Sequence, residues 1–271
     1  MSKYVVFTFD DGRADQYFNA VKIMQQYKMT GTIYITTGFV DDTMKSKTKM
    51  FLSSGGYAMT IEQVKDCIMQ GIEIGSHSDQ HTNKIDDIER SIQKIEGWKY
   101  TCQSETMEKI GFASPSSDIW KKNIDNIKNI GGLSYVRTGR QIKRNGYLYS
   151  LLFLINQIFR SKRLFWHLNK RYINHEEADK FLVESVAIMS DTPKEHIQYC
   201  AERMKQGEVF VLLFHSILYK GQPGYGADKW FYDGKKFESL CDYFSKKDYK
   251  IITMEKAVAL LKIPGGMRNE D

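Results

Sequence analysis

Tyr4-Val-Val-Phe-Thr-Phe-Asp-Asp-Gly12 opens the chain with an apolar run that halts on two adjacent carboxylates. A short run without polar alternation, closed by a turn signal, fits a strand buried on both faces of a parallel sheet. At the end of such a strand Asp10 and Asp11 repel one another and both lose hydration, and a bound cation is the natural remedy. The plain alternative is a turn with a helix N-cap, since Asp-Gly is a turn signal in its own right.

Outward from this run, short apolar stretches alternate with longer amphipathic ones. Strands are expected at Gly31 to Thr36, Ile72 to Ser76, Ser134 to Arg137, Phe181 to Ile188, Val209 to Phe214 and Tyr249 to Thr253. Helices are expected at Asp15 to Tyr27, Thr60 through Met69, about Asp86 to Lys109 and around Ile119 to Ile130. Three more follow Thr192-Pro193, lie near Phe237 to Lys246, and span Met254 to Leu261. Thr60 with Gln63 has the spacing of a capping box. Strand–helix alternation implies a parallel sheet with helical crossovers, and seven or eight repeats favour a barrel over an open sheet. With no internal repeat and no linker, the 271 residues read as one α/β domain with a loose tail at 264–271.

Hydrophobic residues make up 42% and charged residues 27%, the balance of an ordinary globular protein. Cys67, Cys102, Cys200 and Cys241 are scattered without a CxxC pair, which excludes a disulfide framework or cysteine zinc site as the organising element. No basic-then-apolar leader precedes the first strand, and no window reaches the ~18 apolar residues of a spanning helix. A cytoplasmic protein is expected. The formal charge of +6 is uneven: nine Lys or Arg and no Asp or Glu lie between Arg137 and His175, and +6 minus nine leaves −3 elsewhere.

Two further strand ends carry unusual polar residues. Gly75-Ser-His77-Ser-Asp-Gln-His81 follows a strand, and a helical turn would put its two imidazoles on one face at metal-ligand spacing. Alone, an HxxxH pair is equally well a surface or core pair. Val209-Phe-Val-Leu-Leu-Phe-His215 ends a very apolar strand on a histidine. Barrel active sites lie at the C-terminal ends of the strands, and all three clusters occupy such ends. His167, His175 and His196 show no ligand spacing.

Together these residues resemble the polysaccharide deacetylases with the NodB-homology domain. Thr8-Phe-Asp-Asp-Gly12 matches that family's TFDDG, His77-Ser-Asp-Gln-His81 its H-S-x-x-H, and Leu213-Phe-His215 its late L-x-H. The resemblance runs from about residue 4 to 261. It implies a distorted (β/α)7-8 barrel and a metal-dependent hydrolase that removes an N-acetyl group from a sugar or glycan. By the same resemblance Asp10 is the catalytic base, Asp11, His77 and His81 hold a divalent ion with zinc the default, and His215 is the catalytic acid. Leu213 and Pro115 line the substrate pocket. The chain departs from the family pattern at Phe112-Ala113-Ser114-Pro115, where Ala113 replaces the usual base-holding arginine and Ser116-Ser117 replace aromatic-glycine. The family's Asp–Trp motif has no counterpart. Arg137, in Tyr135-Val-Arg137-Thr-Gly, is the candidate that orients Asp10 instead; its alternative is a solvated loop arginine. Two rival readings stay open: hydrolysis of another non-peptide C–N bond, as in a cyclic amide or ureide, and a catalytically silent sugar-binding barrel.

The basic stretch forms an insertion at about 138–180. Gly146 to Phe159 is apolar around most of a helix, with Lys143, Ser150 and Gln157 as a narrow polar stripe. It reads either as a helix packed on the barrel or as an interfacial element over 140–171 that meets anionic lipid or a phosphate-bearing substrate. The second reading suits a lipid- or nucleotide-linked acetylated sugar at the inner membrane surface. No nucleic-acid module accompanies the charge, and no nucleic-acid partner is expected.

Overall fold

The computed structural model describes residues 2–41, 57–102, 109–119, 124–139 and 146–261. Seven strands form a closed parallel barrel in chain order: β1 (Lys3–Phe9), β2 (Thr32–Ile35), β3 (Glu73–Ser76), β4 (Ile110–Ala113), β5 (Leu133–Gly139), β6 (Val183–Ala187) and β7 (Val209–Phe214). Closure is made by β1 lying parallel to β7 from Tyr4↔Val209 to Phe9↔Phe214. Helices cover the outside: α1 (Lys22–Gln26), which continues a wider turn at Gln16–Val21; α2 (Thr37–Val40); α3 (Ile61–Met69); and α4 (Ile85–Thr101). After β5 come α5 (Gly146–Phe159) and α6 (Lys162–Asn169), then α7 (Lys194–Glu202) after β6. A small parallel pair, β8 (Ser216–Leu218) and β9 (Phe231–Asp233), precedes α8 (Gly234–Ser245), and β10 (Tyr249–Ile251) and α9 (Met254–Ala259) end the described chain.

The unbroken apolar runs are explained by burial on both faces. Along β1, Val5, Phe7 and Phe9 face the helices, whereas Val6 joins Tyr34, Ala113, Tyr135, Val183, Val209 and Val211 inside the barrel. Interior space is filled by large rings: a Cβ at Gly111 would fall 2.0 Å from the Tyr135 ring, so that position admits only glycine. One end of the barrel is plugged by α9, whose Met254, Ala257 and Val258 join the interior cluster. Its N-terminal amides are taken by groups at the starts of the strands, Met254 N by Thr32 Oγ1 at 2.9 Å and Glu255 N by Glu73 at 2.9 Å. The other end, where strands finish, stays polar.

Thr60 and Gln63 form the expected reciprocal capping box on α3. The helix expected around Ile119 to Ile130 is instead, over 124–130, a series of turns. There Ile124 O serves both Ile127 N and Lys128 N, and Asn129 Nδ2 competes for Asp125 O at 3.1 Å. α4 stops at Thr101 rather than Lys109. β10 pairs only with Lys3 to Val5, on the edge of β1 that β2 takes at Thr8 and Phe9, so it is an eighth strand of the sheet but not of the closed ring. β8 and β9 were not anticipated, because three-residue strands leave no periodicity to read. Arg140, Lys143, Arg144 and the tail at 264–271 lie outside the described residues.

Candidate active and metal-binding site

Strand parity brings the site together. Successive side chains alternate between the two faces of a strand. Asp10 therefore continues the inward set of Val6 and Thr8, Arg137 that of Tyr135, Ser185 that of Val183, and His215 that of Val211 and Leu213. In a closed parallel barrel these positions all meet at one mouth.

Asp10 is buried and Arg137 fully so. Arg137 Nη2 donates to both carboxylate oxygens of Asp10 at 2.6 Å, and Nη1 donates to Ser185 Oγ at 3.1 Å. Ser185 Oγ donates in turn to Thr138 O at 2.9 Å, and the guanidinium lies over the Tyr34 ring, 5.0 Å from its centroid. Arg137 thus belongs to the barrel interior and is not a solvated loop arginine.

Beside this pair, Asp11 turns its carboxylate the other way. Its φ of 82° is a left-handed conformation rare outside glycine, the kind of local strain that surrounding contacts must hold. Gly12 follows at φ 75°, and a Cβ there would press 2.8 Å from Ile35 Cγ2. Asp11 Oδ1 lies 3.6 Å from His77 Nε2 and 3.5 Å from His81 Nε2. The two imidazoles meet with ring centroids 4.9 Å apart. They do so without the helical turn expected from their spacing: the segment is a loop, with Ser78 at φ 65° and His81 at φ 55°.

The donor set fits a divalent ion. Two ligands each about 2.0–2.1 Å from a tetrahedral ion stand about 3.3 Å apart, close to the separations between Asp11 and both histidines. His77 Nδ1 faces Ala113 O at 2.8 Å, which places the ring proton there and leaves the Nε2 lone pair toward Asp11. Burial pushes the His77 imidazole down to about 4, so it is neutral at neutral pH, as a ligand must be. Burial alone would raise the Asp11 carboxyl, but the His81 ring and the neighbouring His215 and His77 outweigh it and hold Asp11 ionised, well below the usual carboxylate range.

His215 closes the mouth opposite. Its ring packs 4.8 Å from that of Trp230, and Nδ1 is buried with no partner among the described residues. Gln16 Nε2 donates to the carbonyls of both His215, at 2.8 Å, and Asp10, clamping the ends of β7 and β1. Leu213 is buried beside Gly139, where a Cβ would stand 3.6 Å from Leu213 Cδ1 and 2.3 Å from Ser117 Oγ. Pro115 is buried too, its carbonyl accepting from Asn83 Nδ2 at 3.1 Å, while Ser116 and Ser117 take positive φ at the rim. Gln16, Ser185, Tyr34 and Trp230 were not legible as site residues. They carry no motif spacing and reach the mouth only through barrel closure.

A family model described as polysaccharide deacetylase matches residues 1–130. That match takes in just under half of the chain, and over it the chain is similar to the polysaccharide deacetylase family. The family so matched is one of deacetylase-type hydrolases. The matched segment carries Asp10, Asp11, His77, His81 and Pro115, whereas Arg137, Leu213 and His215 lie beyond it. No curated protein matches the chain in sequence. Among solved structures, it is similar to a family 4 acetyl xylan esterase from Clostridium thermocellum in complex with a cobalt ion, at 15% identity and TM-score 0.49, covering 95% of this chain and 91% of that one. A peptidoglycan deacetylase from Bacillus subtilis is similar at 11% identity and TM-score 0.47, covering 96% and 91%. A Streptococcus pyogenes deacetylase in complex with acetate is similar at 19% identity and TM-score 0.37, covering 49% and 54%.

Proposed function

We propose that this chain hydrolyses the N-acetyl group of an acetylated sugar or glycan, with a divalent ion held by Asp11, His77 and His81. The observation that carries the reading is one mouth at which a carboxylate gripped by arginine, a separate Asp/His/His donor set and a further histidine converge. When bound, such an ion supplies Lewis acidity that polarises a carbonyl and brings the pKa of water down to about 7.

The remaining work falls to side chains of this chain. Asp10, held by Arg137 through both oxygens, has a fixed orientation and is the base that takes the proton of the attacking water. The Arg137 grip also explains why two adjacent aspartates can differ in role: Asp10 is matched by a guanidinium and Asp11 by imidazoles. His215 gives its proton to the departing sugar nitrogen, because an amine leaves far more readily than an amide anion. Leu213 and Pro115 form the apolar wall for the acetyl methyl. Zinc is the default for one carboxylate and two imidazoles, although affinity order leaves geometry and availability to decide.

The test is acetate release from free, lipid-linked and nucleotide-linked N-acetyl sugars, with and without chelator, alongside small cyclic amides. Acetate from at least one sugar, lost with chelator and in Asp10→Asn, is expected. Equal inactivity of wild type and Asp10→Asn on every acetylated sugar would favour a silent sugar-binding barrel, and turnover of cyclic amides alone would favour the ureide reading.

A further inference from the structure

α5 presents the wrong residues to water. Tyr147, Leu148, Leu151, Leu154, Ile158 and Phe159 are between 41% and 85% exposed, whereas Asn156 is the residue that it buries. Their spacing follows the 3.6-residue period, so they lie along a single face. The opposite face is the packed one: Phe153 and Asn156 line a small cavity with Phe165, Met189 and His196, and Tyr149 reaches Leu168 O at 3.2 Å. An outward stripe of this size is the kind of patch that soluble surfaces rarely leave uncovered.

Its position and flanks indicate what covers it. β5 leaves the barrel at the end that carries Asp10, and α5 shares a small cavity with Ala187 at the end of β6 and with Met189 and Thr192 just after it, at the same end. The helix that carries the apolar stripe therefore sits at the mouth end of the barrel. Arg160, Lys162 and Arg163 are exposed just after the helix, and Arg140, Lys143 and Arg144 precede it in sequence. Asp191 and Glu195 lie beside Arg160, but no acidic residue interrupts the chain between Arg137 and His175. With basic residues at both ends, two copies of this helix pair basic against basic in either direction, which disfavours self-association. Fourteen residues fall short of the roughly 20 that span a bilayer, and among the described residues no helix is long and apolar enough to cross one.

We propose that α5 is an interfacial helix that seats the chain on an anionic phospholipid bilayer with the barrel mouth at the membrane. The apolar stripe enters the acyl boundary and the basic flanks meet the headgroups. This docking stands independently of the chemistry at the mouth.

Flotation with phosphatidylcholine vesicles, with and without phosphatidylglycerol, tests it on the full chain. The chain is expected to float with the phosphatidylglycerol vesicles at low salt and much less at about 1 M salt, where the screening length is ~3 Å. A Leu151→Glu/Leu154→Glu variant should bind at least about tenfold more weakly, with an unchanged circular dichroism spectrum, because both side chains are outside the core. Lys162→Glu/Arg163→Glu should lose the dependence on phosphatidylglycerol. Wild type that stays with the soluble fraction at low salt, or a Leu151→Glu/Leu154→Glu variant that floats as well as wild type, overturns the proposal. So does light scattering that finds a dimer split by those glutamates in a chain that ignores vesicles, which would make α5 a contact between copies.

Discussion

Asp10 and Arg137 are both out of water, so their ion pair is sustained by geometry more than by net stabilisation. A buried pair of this kind is worth little against an apolar replacement, yet losing one partner strands a charge. Arg137→Ala is therefore expected to cost about 3–5 kcal/mol in urea unfolding. Arg137→Lys keeps the charge but cannot span both oxygens of Asp10, and on the proposed mechanism kcat should fall more than KM rises, by about tenfold or more. Equal kcat for Arg137→Lys and wild type would remove the positioning role. Gly12 makes a different demand. Its positive φ and its closeness to Ile35 leave no room for a methyl, so Gly12→Ala should lose about 1–3 kcal/mol and loosen the Asp11 turn. Metal affinity measured in that variant separates backbone strain from simple destabilisation.

At the scale of elements, the barrel joins a reactive end to an inert one. From the Tyr34 ring beneath Arg137 a buried chain runs to the inert end: Tyr34 and Tyr135 share a hydrogen bond at 2.9 Å, Tyr135 donates to Glu73 at 2.5 Å, and Thr32 donates to Glu73 at 2.8 Å. Burial raises the Glu73 carboxyl above its ordinary value despite these donors. The folded state then binds a proton more tightly than the unfolded one, so this contribution to stability is present below the unfolded pKa and is lost as pH rises through the folded value. Glu73→Gln keeps an acceptor without the charge. Relative to wild type, it should gain stability between acid and neutral pH, each unit of elevation corresponding to about 1.4 kcal/mol. Unfolding midpoints that shift equally at both pH values would contradict this. The β8–β9 pair and the Gln16 clamp do the corresponding work at the reactive end, where they fix His215 relative to Asp10.

For the whole molecule, the proposed ligands Asp11, His77 and His81 lie in loops after β1 and β3, and both loops are tied to the end of β2: Thr36 N donates to Asp11 O at 3.3 Å, His77 N to Ile35 O at 2.8 Å and Thr37 N to Ser78 O at 3.1 Å. An ion that binds only the folded chain should raise the unfolding free energy by about 2.7 kcal/mol at a hundredfold excess over Kd. Thermal unfolding with added zinc should show this rise in wild type and not in His81→Ala, while Leu151→Glu/Leu154→Glu should retain it. No rise in wild type would mean that the three side chains meet without holding an ion.

The barrel class, the capping box on α3 and the three polar strand ends could be read from residue order, because apolar runs, turn signals and ligand spacing are local properties of a chain. The sequence could also nominate Arg137, but it could not distinguish a solvated loop arginine from a buried clamp. That depended on strand parity inside a closed ring, which sets side chains 127 positions apart within one hydrogen bond. Closure likewise decided the places of Gln16 and Ser185, the loop geometry that joins His77 to His81, and the outward turn of the α5 apolar face. Each is a long-range outcome of packing, on which neighbouring residues in the chain carry no information.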